Sequence, residues 1–504
     1  MLASGQLAEA ENRYRQLIAA VPLAAEPWHE LGLVQLRANR LELAAQSLQR
    51  AIALDPNLST CHGNLGGIYQ KLNRSADALV CFERALQLSG PSPELSNNLG
   101  LALKNLGRKD EALVAFGDAL TLRPDYVNAL FNRGSLLMSL SCLDEATADF
   151  DRAVALAPDD FDAQLSLGVA HFVAARLDAA LVCFERALAL VPDRPEPRRN
   201  RALAWLLQGD YEHGWPELEY RLQCEDCRPR TTDKPRWDGG PLSGRKLLIH
   251  AEQGLGDTLQ FIRYLALVEP LGETVKVEVQ PPLMRLLEAS GFGRWLVARG
   301  GEVEYDVHCP MMSLPNTLCQ VTHDPYWGAT YLAPDERLAA AWATRLGTLD
   351  GLKIGIAWSG STDHAQNHYR SAPVAEFAQL AAIPGVCLIS LQKGPPRSQL
   401  AELPPGMEVI DWTDELDETT GAFMDTAAVV RNLDLVVSVD TSIAHLAGGM
   451  GAPVWLALQK SPDWRWGLSG TQTAWYPSMR LFRQPRFGDW TAVFTDMAAA
   501  LRDL

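Results

Sequence analysis

This 504-residue chain has no apolar run that reaches the length of a membrane span, about 20 residues, so no transmembrane helix is expected. The N-terminus lacks the basic, apolar and small-residue regions of a secretory leader, and a cytoplasmic location is expected. Basic residues are in deficit: 45 Lys and Arg stand against 61 Asp and Glu, a formal net charge of −16. That balance excludes the broad basic stripe of a nucleic-acid surface but leaves room for one local basic pocket. The nine cysteines are scattered, with Cys61, Cys81 and Cys183 inside helical segments, a pattern of reducing compartments. Cys224-Glu225-Asp226-Cys227 is a lone C-x-x-C, and no second pair is spaced to complete a zinc site, so no metal is expected. Apolar residues are not scarce: at 47% they can fill the cores of three or four domains.

What the chain does have is a period. Leu31-Gly32, Leu65-Gly66, Leu99-Gly100, Arg133-Gly134 and Leu167-Gly168 follow one another at 34 residues. Ala44, Ala78, Ala112, Ala146 and Ala180 keep the same register, as do Leu48, Phe82, Phe116, Phe150 and Phe184. Pro56, Pro124, Pro158 and Pro192 close four of the units. This is the tetratricopeptide pattern: two antiparallel helices per unit, small residues where they cross, a large one filling the space beside them. Residues 6–20 fit the second helix of a truncated first repeat, so an upstream cap is expected to be missing. Gly214-Trp215-Pro216 is expected to break the last helix, which leaves a degenerate final pair. The α solenoid is thus assigned to residues 1–209 and a connector to 210–243. Its groove is expected to dock a protein, with Asn64, Asn98, Asn132 and Arg133 as candidate clamps on an extended backbone. Solenoids often pair through a terminal repeat, which leaves a homodimer open.

After Pro241 the pattern turns to short apolar strands alternating with helices, the signature of α/β domains. Strands are expected at Lys246–His250, Val275–Val279 and Asp306–Cys309. A fresh series follows at Lys353–Trp358, Val386–Leu391, Glu408–Asp411, Leu435–Val439 and Val454–Leu458. Two parallel-sheet domains, 244–348 and 349–484, would face across a cleft, and ligands of such sheets sit at the carboxyl ends of strands.

Four polar turns stand at strand ends. Gly254-Leu255-Gly256-Asp257 is neither G-x-G-x-x-G nor G-x-x-x-x-G-K-S/T. Its Asp257 would repel a phosphate there, so the turn reads as a carboxylate facing a cleft, or as a simple helix cap. Asp440-Thr441-Ser442, with His445 one helical turn past Thr441, offers free amides and hydroxyls for a diphosphate. Capping plus a buried histidine is the other reading. Ser359-Gly360-Ser361 precedes a polar loop with His364, Asn367, His368 and Arg370, and Arg370 could neutralise phosphate charge. The fourth turn is Ser390-Leu391-Gln392-Lys393-Gly394. Trp464-Arg465-Trp466 and Trp475-Tyr476 would either line a pocket or pack where domains meet.

The glycine turn with Asp257, followed in this order by Asp440-Thr441-Ser442-x-x-His445, resembles the bacterial heptosyltransferase group of glycosyltransferases (the family nine type) over about residues 244–504. With its repeats, the chain is similar in architecture to the O-linked N-acetylglucosamine transferase. The resemblance implies a GT-B fold of two Rossmann-like domains, the first on the acceptor side and the second on the nucleotide-sugar side. It implies inverting, metal-independent transfer with no cofactor, with Asp257 as general base. It also implies donor contacts at Asp440, Thr441, Ser442 and His445, and more weakly at Ser359, Gly360, Arg370, Gln392 and Lys393. Residues 485–504 would form the helix that returns to the first domain. The repeats stand where a lipopolysaccharide enzyme has no counterpart, which puts heptose and lipid in doubt. A metal-dependent transferase would usually show Asp-x-Asp, and the only such triplets, Asp149-Phe150-Asp151 and Asp160-Phe161-Asp162, lie inside the repeats.

The expected function is therefore sugar transfer from a nucleotide-sugar to Ser or Thr of a docked protein, with flagellin or another surface protein as the acceptor suggested by architecture. One alternative is a glycan or lipopolysaccharide transferase whose repeats are a scaffold. Another is a non-catalytic repeat adaptor with a degenerate transferase domain.

Overall fold

The computed structural model describes residues 4–225, 227, 230–271, 274–318, 330–361 and 367–503. The chain divides into two compact units, Met1–His171 and Phe172–Leu504. None of the helices among the described residues is long and apolar enough to cross a membrane.

The first unit is an α solenoid of tetratricopeptide helices. Antiparallel pairs run through Ala25–Arg37 with Leu41–Leu54, Ser59–Lys71 with Ser75–Ser89, Pro93–Asn105 with Lys109–Leu122, and Val127–Ser139 with Leu143–Leu156. The repeated glycine has a steric cause. A Cβ on Gly66 would lie 2.7 Å from the Phe82 ring and one on Gly100 would lie 2.6 Å from Phe116. Each pair therefore closes only because the first helix is bare where the aromatic of the second arrives. A second periodic feature sits in the turns. Asn39, Asn73, Gly107, Ser141, Ala175 and Gly209 all take positive φ, and they too are 34 residues apart. The left-handed turn suits Asn and Gly and strains Ser and Ala.

Gly209 carries that turn into the second unit, where Pro195–Gln208 and Tyr211–Leu218 form a further antiparallel pair. The expected break at Gly214-Trp215-Pro216 does not occur. Helix Tyr211–Leu218 runs through Pro216 and then tightens into the 3-10 turn Glu219–Gln223. Pro216 is the sixth of the helix's eight residues, so the one amide bond it removes falls near the end of the helix. Residues expected in a connector thus complete a repeat. Gly214 stands where Ala180 and its equivalents stood, and Leu218 where Phe184 stood.

The rest of the second unit is α/β, with two parallel sheets. The first has β1 (Leu247–His250), β2 (Val275–Val279), β3 (Leu296–Ala298) and β4 (Val307–Pro310), in the order β3-β2-β1-β4. The second has β5 (Leu352–Ala357), β6 (Val386–Ser390), β7 (Val409–Ile410), β8 (Leu435–Val439), β9 (Val454–Leu458) and β10 (Met479–Arg483), in the order β7-β6-β5-β8-β9-β10. That is the doubly wound order, with strand direction of travel reversing between β5 and β8.

One apolar core runs from the last helical pair into the first sheet. Ala204, Leu206, Leu207, Trp215 and Leu218 are buried in the same cluster as Leu247, Ile249, Phe261 and Val277. Trp215 meets Trp464 edge-on at 5.1 Å, and Phe261 at 6.5 Å. The buried Arg221 donates to Glu252 at 2.6 Å, Glu219 at 3.1 Å and Ser313 at 2.9 Å, which ties the end of the repeats to the loop after β1.

The C-terminal helix Trp490–Arg502 lies over the second sheet and not against the first. Its Phe494 packs on Phe377 at 4.5 Å beside Ile354, Trp455 and Phe482. The apolar stripe Trp490, Val493, Phe494, Met497 and Leu501 finds its partner within its own domain and has no need to cross. Helix Glu336–Leu346, expected at the end of the first domain, also packs on the second sheet's side, where Trp342 donates to Asp425 at 2.8 Å.

The shared core sets a boundary that can be measured. A chain lacking residues 1–171 is expected to melt cooperatively, whereas one lacking 1–209 uncovers Trp464 and loses Leu206 and Leu207. Each lost leucine costs about 1.5–3 kcal/mol, in sum comparable to the whole stability of a domain. Circular dichroism melts of the two truncated chains check this.

Candidate functional site

A cleft of about 1040 Å3 opens where the carboxyl ends of the two sheets meet. It is lined on one side by the glycine turn after β1 and on the other by the turns after β5, β6 and β8. Gly254, Gly256, Asp257, Ser359, Gly360, Arg370, Gln392, Lys393, Asp440, Thr441, Ser442 and His445 all line it. The turns after β5 and β8 flank the point where the second sheet reverses direction, which is where ligands of such sheets bind. His364 lies outside the described residues.

Asp257 sits in the first turn of helix Leu255–Phe261. Its Oδ2 accepts the Gly254 amide at 3.0 Å, and its Oδ1 accepts from the Arg465 guanidinium. Asp257 keeps 21% of its side chain exposed, so the carboxylate is oriented by the protein and still open to the cleft. Gly256 is small for a packing reason: a Cβ there would stand 3.0 Å from Cδ2 of His445. The turn lets the first domain's helix touch the second domain's.

Arg465 is the residue that sequence reasoning left undecided. It is buried, donates to Asp463 at 2.8 Å and also to Gln260, and lies over Trp464 at 4.6 Å. Two carboxylates against one guanidinium raise its pKa despite burial, so it is a fixed cation. Trp464, Trp466, Trp475 and Tyr476 are all buried, so these aromatics pack, while Arg465 and Asp463 between them reach the cleft. The pairing joins residues more than 200 positions apart, and no local spacing announces it.

On the opposite wall, helix Ser442–Gly449 begins at Thr441 without a side-chain cap. The Thr441 hydroxyl is instead 3.1 Å from that of Ser438. Ala444 and His445 amides bond back to the Thr441 carbonyl at 3.1 and 3.4 Å. The two amides before them, of Ser442 and Ile443, are first-turn donors of the kind that hold anions. Arg370 lies on the Gly360 backbone, where a Cβ would be 2.5 Å from its Nη2. It donates to Asn367 at 3.4 Å and has no ion-pair partner among the described residues. Ser359 is buried and bonded to Ser371 at 2.9 Å and Asn367 at 3.3 Å.

Two residues are committed elsewhere. Gln392 accepts the Trp358 and Ser359 amides at 3.1 and 2.9 Å and donates to the Lys393 carbonyl at 2.9 Å, so it builds the turn after β5. Lys393 pairs with Glu418 at 2.8 Å and is not a spare cation. Burial, with the neighbouring Asp463 charge, pushes the Asp440 carboxyl up to about 6. Burial and the charges of Arg465, Arg263 and Arg370 hold the His445 imidazole well below its usual value. Among the described residues no group of three His, Cys, Asp or Glu could hold a metal ion.

In the repeats, Arg133 is taken: it makes a two-pronged bond to the buried Asp149, both distances 2.7 Å. Arg201 pairs with Glu217 two repeats further along the sequence, again 16 residues away. Asn64 is 3.0 Å from His29, Asn132 donates to Asn97 at 2.9 Å, and the Asn98 side chain accepts from Asn97 at 3.4 Å.

A stability profile checks the charge state at Asp440. Its pKa in the folded protein exceeds the unfolded value, so folding loses stability as pH rises from about 4 to about 6. Asp440→Asn is expected to be more stable than the parent at pH 8, with the difference vanishing near pH 4. Gly256→Ala is expected to lower stability by about 1–3 kcal/mol by pushing on His445. Urea titrations read both.

The tetratricopeptide repeat model matches residues 2–59, 64–127, 98–161 and 131–195. Protein FlbA of Caulobacter vibrioides is 28% identical over 334 residues, 60% of this chain and 54% of FlbA, so the chain spans about half the length of that relative. Among solved structures, YrrB, titled a TPR protein with an unusual peptide-binding site, is 25% identical with a TM-score of 0.32, covering 36% of this chain and 95% of YrrB. PilF of Pseudomonas aeruginosa is 19% identical with a TM-score of 0.35, covering 43% of this chain and 91% of that one. The N-terminal part carries tetratricopeptide repeats and is followed by an α/β region.

Proposed function

We propose that the chain is an inverting glycosyltransferase of GT-B type, moving a sugar from a nucleotide-sugar to Ser or Thr of a protein docked by the repeats. The observation that carries this reading is one cleft with an oriented carboxylate, Asp257, on one wall and, on the other, first-turn amides with Arg370, which has no ion-pair partner among the described residues. In the transfer, Asp257 takes the proton of the acceptor hydroxyl as that oxygen attacks the anomeric carbon. The bond from that carbon to the diphosphate breaks, and its electron pair leaves with the diphosphate. The amides of Ser442 and Ile443 and the Arg370 guanidinium meet that charge, so metal is not needed in this scheme. Each oxygen of Asp257 retains a lone-pair site beyond its present bond, which keeps it able to accept the proton. The half-buried Asn64, Asn98 and Asn132 would clamp the acceptor's backbone; Arg133 is dropped from that role because Asp149 holds it. The reaction would run in the cytoplasm, with flagellin or another surface protein as acceptor.

A thermal-shift screen against UDP-, GDP-, ADP-, CMP- and dTDP-sugars tests the donor site. At a hundred times the dissociation constant, one donor is expected to stabilise the protein by about 2.7 kcal/mol. Asp257→Asn is expected to keep that shift while losing transfer. No shift with any donor, with or without magnesium, would contradict the reading and favour the adaptor.

A further inference from the structure

His445 is held on every side. Its ring stacks on Trp466 at 5.5 Å with an interplanar angle of 24°. The bare Gly256 lies against its Cδ2 edge, and Asp440 Oδ1 stands 4.0 Å from its Nε2. Its Nδ1 is 2.8 Å from the Tyr476 hydroxyl. That hydroxyl has a prepared place. Gly448, one turn along the same helix, makes room for the Tyr476 ring, since a Cβ there would be 2.6 Å from it.

The surroundings decide which nitrogen carries the proton. Arg465, Arg263 and Arg370 are the cations that act on this ring, and Arg263 also lies 4.6 Å over the Tyr476 ring. With those charges around a buried imidazole, the ring is neutral and has one N–H to place. Asp440 can only accept when ionised, so Nε2 is the nitrogen that gains from bearing hydrogen. Nδ1 must then accept, and Tyr476 donates to it. The phenol keeps its one hydrogen, since burial, with Tyr331 hydrogen-bonded beside it, holds its pKa well above the ordinary range; Tyr331, which accepts from Arg263 at 2.8 Å, is the other partner of that hydroxyl. The opposite assignment would set two acceptors, Nε2 and Asp440, against each other.

We propose that Tyr476 is a positioning residue that fixes His445 as the Nε2–H tautomer, so that this edge of the cleft offers a bound donor a hydrogen-bond donor and not a base or a cation. The inference rests on the proposed donor site for its use, but not for the tautomer itself. Within that reading, Nε2–H would serve an oxygen of the sugar or the diphosphate. His445 is therefore kept apart from the proton transfer assigned to Asp257.

The test is nitrogen NMR of the full chain with 15N-histidine, His445 being assigned by the signal lost in His445→Gln. The expected result is an acceptor-type shift at Nδ1, a protonated-type shift at Nε2, and no titration between pH 5 and 8. In Tyr476→Phe the two shifts are expected to move toward a common average as the tautomers mix. Gly448→Ala, which displaces the Tyr476 ring without removing its hydroxyl, is expected to act in the same direction. A parent spectrum with the proton on Nδ1, or a His445 that titrates in that range, would overturn the proposal, as would an unchanged spectrum in Tyr476→Phe. Once a donor is found, Tyr476→Phe is expected to weaken it about tenfold, the cost of one misdirected hydrogen bond, while kcat changes little. Failure of every donor to bind, with the tautomer as stated, would remove the glycosyltransferase reading and leave this inference standing.

Discussion

The arrangement depends on one buried cation. Arg465 sits in a bed of tryptophan and phenylalanine and cannot shed its charge, so it must be met by carboxylates. It takes Asp463 from its own loop and Asp257 from across the cleft. That second bond draws the glycine turn of the first sheet against the second sheet's helix, which is why Gly256 must be bare beside His445. The aromatic bed includes Trp464, which meets Trp215 of the last helical pair. The end of the repeats and the cleft are therefore parts of one packed object.

The cleft is divided by charge. On the first sheet's wall, Asp257 is oriented by an amide and a guanidinium and remains open to a substrate. On the second sheet's wall, helix amides and Arg370 offer positive character beside Asp440, whose carboxyl burial pushes up to about 6. In the proposed transfer, a carboxylate facing helix amides and a guanidinium across a gap is what a displacement with a departing anion needs. Lys393 and Gln392 stand at the same gap but are spent on Glu418 and on backbone amides.

Much of this was legible in the sequence, for physical reasons. The repeats show because a glycine faces a large apolar side chain in successive units, Leu48, Phe82, Phe116 and Phe150, and leaves room for little else. The central strands show because a strand covered on both faces must be apolar, and Leu435–Val439 and Val454–Leu458 fall where that pattern puts them. Two edge strands carry no such signal: Leu296–Ala298 is three residues long and Met479–Arg483 alternates with arginine, so neither stands out in the sequence. In the final helical pair Pro216 reads as a stop, while the register of Gly209, Gly214 and Leu218 with the earlier repeats is the better signal. Long-range ion pairs are the least readable. Arg133 looks like a groove residue until Asp149 is placed beside it, and Arg465 looks like part of an aromatic run until Asp257 arrives from 208 residues away.

Hydrogen exchange followed by mass spectrometry, with and without a panel of nucleoside diphosphates, tests most directly whether this cleft is a donor site. A donor cleft predicts protection by at least one of them at the turns around residues 357–361, 391–396 and 440–445, with the repeats unchanged. Protection confined to the repeats, or none at these turns with any nucleotide, would contradict it.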